Sequence, residues 1–261
     1  MGDKWSISIS LANLGNVASR RGDYAAARAL YQESLSMARG MGDRYAIARV
    51  LNELGNLALS QGDYAGGQAL YEESQSLFRE MGSKSGIGMS LINLGNAVYL
   101  QGEYVTARAL YEECLTLHNE MDEKQQTAYA LLGLGLVDLA ENKPEAREHI
   151  LHSLRLRQES GEQLYQTSSL VGLAGLALHE GNATFAAQLL GAVESALKVL
   201  NGVLEGELNI FHARTLAAAR EQLGDPAFQS AWEEGGKWLL EEAVKRALDD
   251  DHSNASHASV S

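Results

Sequence analysis

Three sets of side chains stand at spacings that chemistry could use. His149 and His152 are three residues apart, about one helical turn, a separation at which two imidazoles can share a metal ion. No third ligand stands at a metal-site spacing from them, so solvated surface histidines are the plainer reading and no metal is expected. Glu33, Glu73 and Glu113 recur every 40 residues. Two carboxylates do acid–base work when their environments push their pKa values apart, but carboxylates one period apart on a helix face turned from the apolar side form a solvated surface. Cys114 is the single cysteine, so no intramolecular disulfide can form. Its counterparts one and two periods earlier are Ser74 and Ser34, and it reads as a packed thiol in a small-residue slot. No glycine loop that would cradle a phosphate is present, and no Ser/His/Asp arrangement can be argued. The expectation is a non-catalytic protein without cofactor or metal.

The third set is made of amides. Asn16, Asn56 and Asn96 recur at the same period, with Asn13, Glu53 and Asn93 three residues earlier on the same helical stripe. A primary amide offers donor and acceptor together, so a ladder of amides can hold a peptide backbone whatever its side chains. The other reading is that these asparagines bond neighbouring helices and fix their stacking. Both readings stand on the sequence.

The elements that position them follow from one phrase, Leu-Xaa-Xaa-Leu-Gly-Asn. It reads LANLGN at 11–16, LNELGN at 51–56 and LINLGN at 91–96, then degrades to LLGLGL at 131–136 and VGLAGL at 171–176. Gly15, Gly55, Gly95, Gly135 and Gly175 keep a period of 40 residues over five copies. A fixed period of this size marks a solenoid, whose units bury their apolar faces only against neighbours. Apolar residues at helical spacing predict one helix near 5–21 and a second near 24–39, joined by Gly22-Asp23. Glycine supplies the left-handed turn residue, and an acid suits the start of the next helix. A longer joint, Gly40-Met41-Gly42-Asp43, is echoed at 80–83 and 120–123. Mid-helix glycine costs about 1 kcal/mol relative to alanine, so its return in every repeat implies a close helix crossing, with Tyr31, Tyr71 and Tyr111 filling the space beside it.

The predicted fold is all-α: a right-handed solenoid of five helix hairpins, about 5–44, 45–84, 85–124, 125–162 and 163–200, with capping helices over 201–248 and a disordered polar tail over 249–261. Repeats four and five keep the period but shift by one residue within it, Gly15 standing seven residues before its turn and Gly175 six, and the asparagine is lost from both. The first three repeats should therefore form one surface and the last two another. Asp225-Pro226 reads as a helix start with a capping carboxylate. A net charge of −13 disfavours a broad nucleic-acid or anionic-membrane surface. No basic-then-apolar leader opens the chain and no run of about 18 apolar residues occurs, which points to the cytoplasm.

The repeat resembles the tetratricopeptide family: Leu11, Leu14 and Gly15 in the first helix, Ala27 and Tyr31 in the second, and their equivalents one and two periods on. The usual unit is about 34 residues, so this chain is similar to the longer-period class of kinesin light chain and bacterial peptide-sensing regulators. The resemblance implies that the asparagine position of the first helix lines a concave groove, and that the chain binds a protein or peptide partner there. Asn13, Asn16, Glu53, Asn56, Asn93 and Asn96 would hold the backbone. Arg20 and Arg49 would take an acidic group, and Met89, Tyr99 and Tyr129 apolar side chains. A narrower likeness joins 186–200 and 223–248 to the C-terminal part of bacterial LuxR-type and related ATPase regulators. It implies an alternative: a sensor region, excised from a larger regulator, that binds an inducer or an inhibitory protein.

Overall fold

Each repeat folds as two antiparallel helices because its apolar residues recur at helical spacing and its breaks fall at glycine. The computed structural model describes residues 2–119, 124–204 and 206–258, and among them holds thirteen helices and no strand. The five hairpins are α1 (Gly2–Arg20) with α2 (Tyr24–Met41), α3 (Arg44–Ser60) with α4 (Tyr64–Glu80), and α5 (Lys84–Leu100) with α6 (Tyr104–Asn119). They continue with α7 (Lys124–Ala140) and α8 (Glu145–Glu159), then α9 (Gln163–His179) and α10 (Ala183–Leu200). Three more helices follow: α11 (Gly206–Leu223), α12 (Asp225–Gly235) and α13 (Leu240–Ala258). The third copy of the long joint, at 120–123, lies outside the described residues.

The turns are built as their residues require. Gly22, Gly62, Gly102 and Gly181 reverse the chain at φ between 77° and 84°, and Asn142 takes the same place in repeat four at φ 55°. Asparagine is among the few side chains that tolerate that region. The next residue then caps the second helix: the carboxylates of Asp23 and Asp63 accept from the backbone N–H of Ala26 and Gly66 at 3.1 and 2.9 Å. Such a cap is worth about 1 kcal/mol.

The small-residue slot has a second use. Ser34, Ser74 and Ser153 each donate a hydroxyl to a carbonyl of the first helix, of Ser8, Ala48 and Ala128, at 2.7–2.8 Å. Cys114, wholly buried, faces the Gly88 carbonyl at 3.7 Å in the same role. These bonds tie the hairpin together opposite its turn. Glu73 and Glu113 are exposed, as a solvated face should be, and accept from Arg39 and Arg79 of the preceding repeat at 3.1 and 2.6 Å. Exposed pairs of this kind contribute little each.

The chain divides into two compact units, 1–121 and 122–261, at the place where the asparagine-bearing phrase ends. In the first, each repeat covers the next: Leu54 packs on Ala27, Tyr31 and Leu35 of the repeat before it, and Leu94 on Leu59 and Tyr71. Leu14, the same position in α1, is 55% exposed, against 8% and 5% for Leu54 and Leu94. Among the described residues, α1 has no preceding helix pair to cover it.

In the second unit α10 is the central helix, touching α9, α11, α12 and α13. By length and apolar composition α10 could cross a membrane, although the sequence reading finds no such segment. More than half of it is buried inside the fold, the place of a core helix. Gly191 and Gly235 set the α10–α12 crossing: a Cβ on either would strike the backbone of the other helix, at Trp232 and Gln188 respectively. Two C-terminal expectations change. The cap of α12 is Gly224 at φ 74°, not Asp225, which is the first residue inside the helix. The last helix continues to Ala258 rather than stopping near Leu248, because no glycine or proline after Gly236 interrupts it; Ser259, Val260 and Ser261 lie outside the described residues.

The glycine column makes a paired prediction. A Cβ on Gly55 would stand inside contact distance of the Tyr71 ring, whereas one on Gly40 meets nothing within 4 Å. Gly55→Ala should destabilise by about 1–3 kcal/mol through overpacking. Gly40→Ala, also in a helix, should stabilise by up to about 1 kcal/mol. Urea unfolding of both variants checks the contrast, and equal effects would show that the crossing is not what selects glycine.

Candidate functional site

The glycine and the asparagine of the repeated phrase meet the same tyrosine. The glycine lets the ring lie against the first helix: a Cβ on Gly15 or Gly95 would come to 2.5 Å from the ring of Tyr31 or Tyr111. The asparagine one residue on receives the hydroxyl of that ring. Tyr31, Tyr71 and Tyr111 donate to the side-chain oxygens of Asn16, Asn56 and Asn96 at 2.6, 2.7 and 2.7 Å. The amide oxygens thus belong to the hairpin, as the stacking reading requires, although the bond runs within a repeat rather than between repeats. What is left for a ligand is the NH2 group. With each carbonyl fixed on a phenol, the three amides present their donors in one repeating orientation. Asn56 already directs its donor to Glu53 at 3.4 Å.

The rest of the stripe is divided. Asn13, Arg20 and Arg49 are exposed, Glu53, Asn93 and Tyr99 half-buried, and Met89 is exposed on α5. Asn16 is half-buried, Asn56 exposed and Asn96 buried. All of these lie on α1, α3 and α5 of the first unit. Tyr99 packs on Tyr104 with ring centroids 5.7 Å apart. Tyr129 lies on α7 in the second unit, where it belongs to a different group of residues.

That group was not singled out by sequence. Arg157 of α8 is 1% exposed, the largest fully buried side chain among the described residues. Its guanidinium lies 4.4 Å from the Tyr129 ring centroid and 5.7 Å from that of Tyr165 on α9, and the two rings meet edge to face at 5.4 Å. Nη1 donates to the Tyr165 carbonyl at 2.6 Å, while Nε and Nη2 are buried without a partner. Burial drives the guanidinium pKa down, against the pull of the Tyr129 and Tyr165 hydroxyls and of Glu162 and Glu207. Burial also raises the Tyr129 hydroxyl and pushes the Glu207 carboxyl up to about 7, against the pull of Arg157. A partial signal was available: allowing for the one-residue shift in repeat four, Arg157 occupies the column of Ala38 and Phe78, both buried and apolar, and of His118 in repeat three.

His149 is half-buried and His152 exposed. His149 bonds the buried Asp138 at 2.7 Å through Nδ1, and among the described residues no group of three His, Cys, Asp or Glu could hold a metal ion.

Family models described as the tetratricopeptide repeat match residues 46–120 and 86–159, and a second such model matches 9–40. The chain belongs to the tetratricopeptide repeat family. Stacked repeats of this kind present extended surfaces for protein partners. No curated protein matches it. Among solved structures it is similar to BtubC (BKLC) from P. vanneervenii, at 18% identity and a TM-score of 0.59 over 77% of this chain and 84% of that one. It is also similar to the apo form of RapI, at 14% identity and 0.58 over 93% of this chain and 99% of that one. At those identities the likeness is one of fold.

Two outcomes test this geometry. Tyr71→Phe removes only the hydroxyl that Asn56 receives and should cost about 1 kcal/mol, read by urea unfolding. Glu207, with its folded pKa raised, adds stability that is fully present below its unfolded pKa of about 4.3 and is lost as pH rises through about 7. His212, whose pKa burial lowers, works in the opposite sense, losing stability as pH falls through about 6.5. The wild-type minus Glu207→Gln difference in unfolding free energy should therefore decline from pH 4.5 to 7.5. A flat difference would place Glu207 in contact with water.

Proposed function

We propose that the first unit binds a peptide, or an exposed segment of a partner protein, along the surface presented by α1, α3 and α5. The observation that carries this reading is the orientation of the asparagines. Each carbonyl is held by a tyrosine hydroxyl, so each NH2 is a preset donor, repeated once per hairpin. Preset donors avoid much of the ordering cost of binding, and backbone carbonyls of a peptide are the acceptors that a sequence-tolerant site would use. Arg20 and Arg49 beside the stripe suit an acidic group, and the exposed Met89 an apolar side chain. No step of chemistry is required of any residue.

A second reading, the sensor region of a bacterial signalling ATPase or transcription regulator, is supported by the sequence likeness of 186–200 and 223–248, which α10, α12 and α13 bring together. The residues matched by the family models end at 159. A nucleotide-binding domain encoded upstream in the same reading frame would favour this reading, and a free-standing gene would sink it.

Aspartate at the three positions separates structure from binding. Asn16→Asp, Asn56→Asp and Asn96→Asp together keep an oxygen for each tyrosine hydroxyl and replace every donor with an acceptor. The triple variant should stay folded and lose at least tenfold in affinity for peptides selected from a display library on the wild-type chain. Undiminished affinity in a folded variant would remove the asparagines from the binding account.

A further inference from the structure

The buried arginine of the second unit has an unfilled side. Taking a guanidinium out of water costs several kcal/mol unless its charge and donors are matched. At Arg157 the faces of Tyr129 and Tyr165 offset part of that cost, and Nη1 is matched by the Tyr165 carbonyl. The two unmatched nitrogens, Nε and Nη2, are the pair that lies along one edge of the planar group. Their N–H bonds run parallel, at the separation of the two oxygens of a carboxylate, the fork in which arginine binds acids in bidentate fashion. Among the described residues no carboxylate forms an ion pair with it. Glu162 and Glu207 stand near enough to act through their fields only.

We infer that the Nε–Nη2 edge of Arg157, walled by Tyr129 and Tyr165, is a receptor for the carboxylate of a ligand. The site is distinct from the asparagine stripe, being built from α7, α8, α9 and the first turn of α11. It is closed in this structure, with both nitrogens sealed from solvent. A ligand reaches it by displacing the first turn of α11, which begins at Gly206 with φ 58° and carries Glu207. Binding exchanges the field of one carboxylate for direct contact with another, and no bond is made or broken. A carboxylate is favoured over a phosphate because the free edge offers two parallel donors between flat aromatic walls, and among the described residues no Lys or Arg acts on Arg157 to serve a doubly charged group. The acid is carried either by a peptide's C-terminus or by a free small molecule.

Titration calorimetry on the full chain tests the site with four probes: benzoate and benzamide for a free acid, and acetyl-Gly-Phe with its C-terminal amide for a peptide end. One acid should bind saturably while its amide does not, and which acid it is separates the two sources. Arg157→Lys keeps the charge without the fork and should weaken that acid at least tenfold. Glu207→Gln removes the competing carboxylate and should tighten it severalfold; this variant carries the test if Arg157→Lys does not fold. Absence of saturable binding by both acids, equal binding of acid and amide, or affinity unmoved in Glu207→Gln would overturn the inference. So would a Glu207→Gln chain that unfolds as readily as Arg157→Met, for Glu207 would then be the partner of Arg157 itself.

Discussion

Two helices can come close along their axes only where one of them presents no side chain at the crossing. In the first unit that place is the glycine of the repeated phrase, and the ring that occupies it belongs to the tyrosine of the second helix. Much else follows from this contact. It fixes the distance between the two helices of a hairpin, brings the tyrosine hydroxyl to the neighbouring asparagine, and leaves the two leucines of the phrase to face the adjoining repeat. Glycine weakens the helix in which it stands, so the arrangement persists only because the aromatic packing it admits is worth more.

The fold was largely legible in the sequence because its determinants are local and periodic. The glycine-to-glycine spacing located five hairpins, and the capping acids located their turns. Legibility failed where no local signal exists. Nothing between Gly236 and the end of the chain tells a helix to stop, so a polar composition was read as a tail where α13 continues. The chemistry of the asparagines was half legible. Their recurrence marked them, but which end of each amide is committed depends on a hydroxyl 15 residues away in sequence, and no spacing rule predicts a hydrogen bond of that kind. Arg157 was missed for another reason. A one-residue slip in repeat four takes it out of strict register with Ala38 and Phe78, and because the column already holds His118 in repeat three, a charged residue there does not stand out.

The two units therefore handle polarity in different ways. The first distributes it: one amide and one phenol per repeat, each amide oxygen held by its phenol, along a stripe that is exposed at Asn56, half-buried at Asn16 and buried at Asn96. The second adds to its other buried polar groups one concentrated charge, an arginine held between two aromatic rings, beside an acid whose pKa burial raises. A distributed arrangement suits a long, sequence-tolerant ligand, because no single contact decides the affinity. A concentrated one suits recognition of a single group.

The regularity of the stack has a consequence at α1. Leu54 and Leu94 are buried against the hairpin before them, and Leu14, which holds the same place in α1, is exposed. Interfaces between stacked repeats share one form, so the face that carries Leu14 has the shape and the chemistry to seat a helix pair as α3 and α5 do.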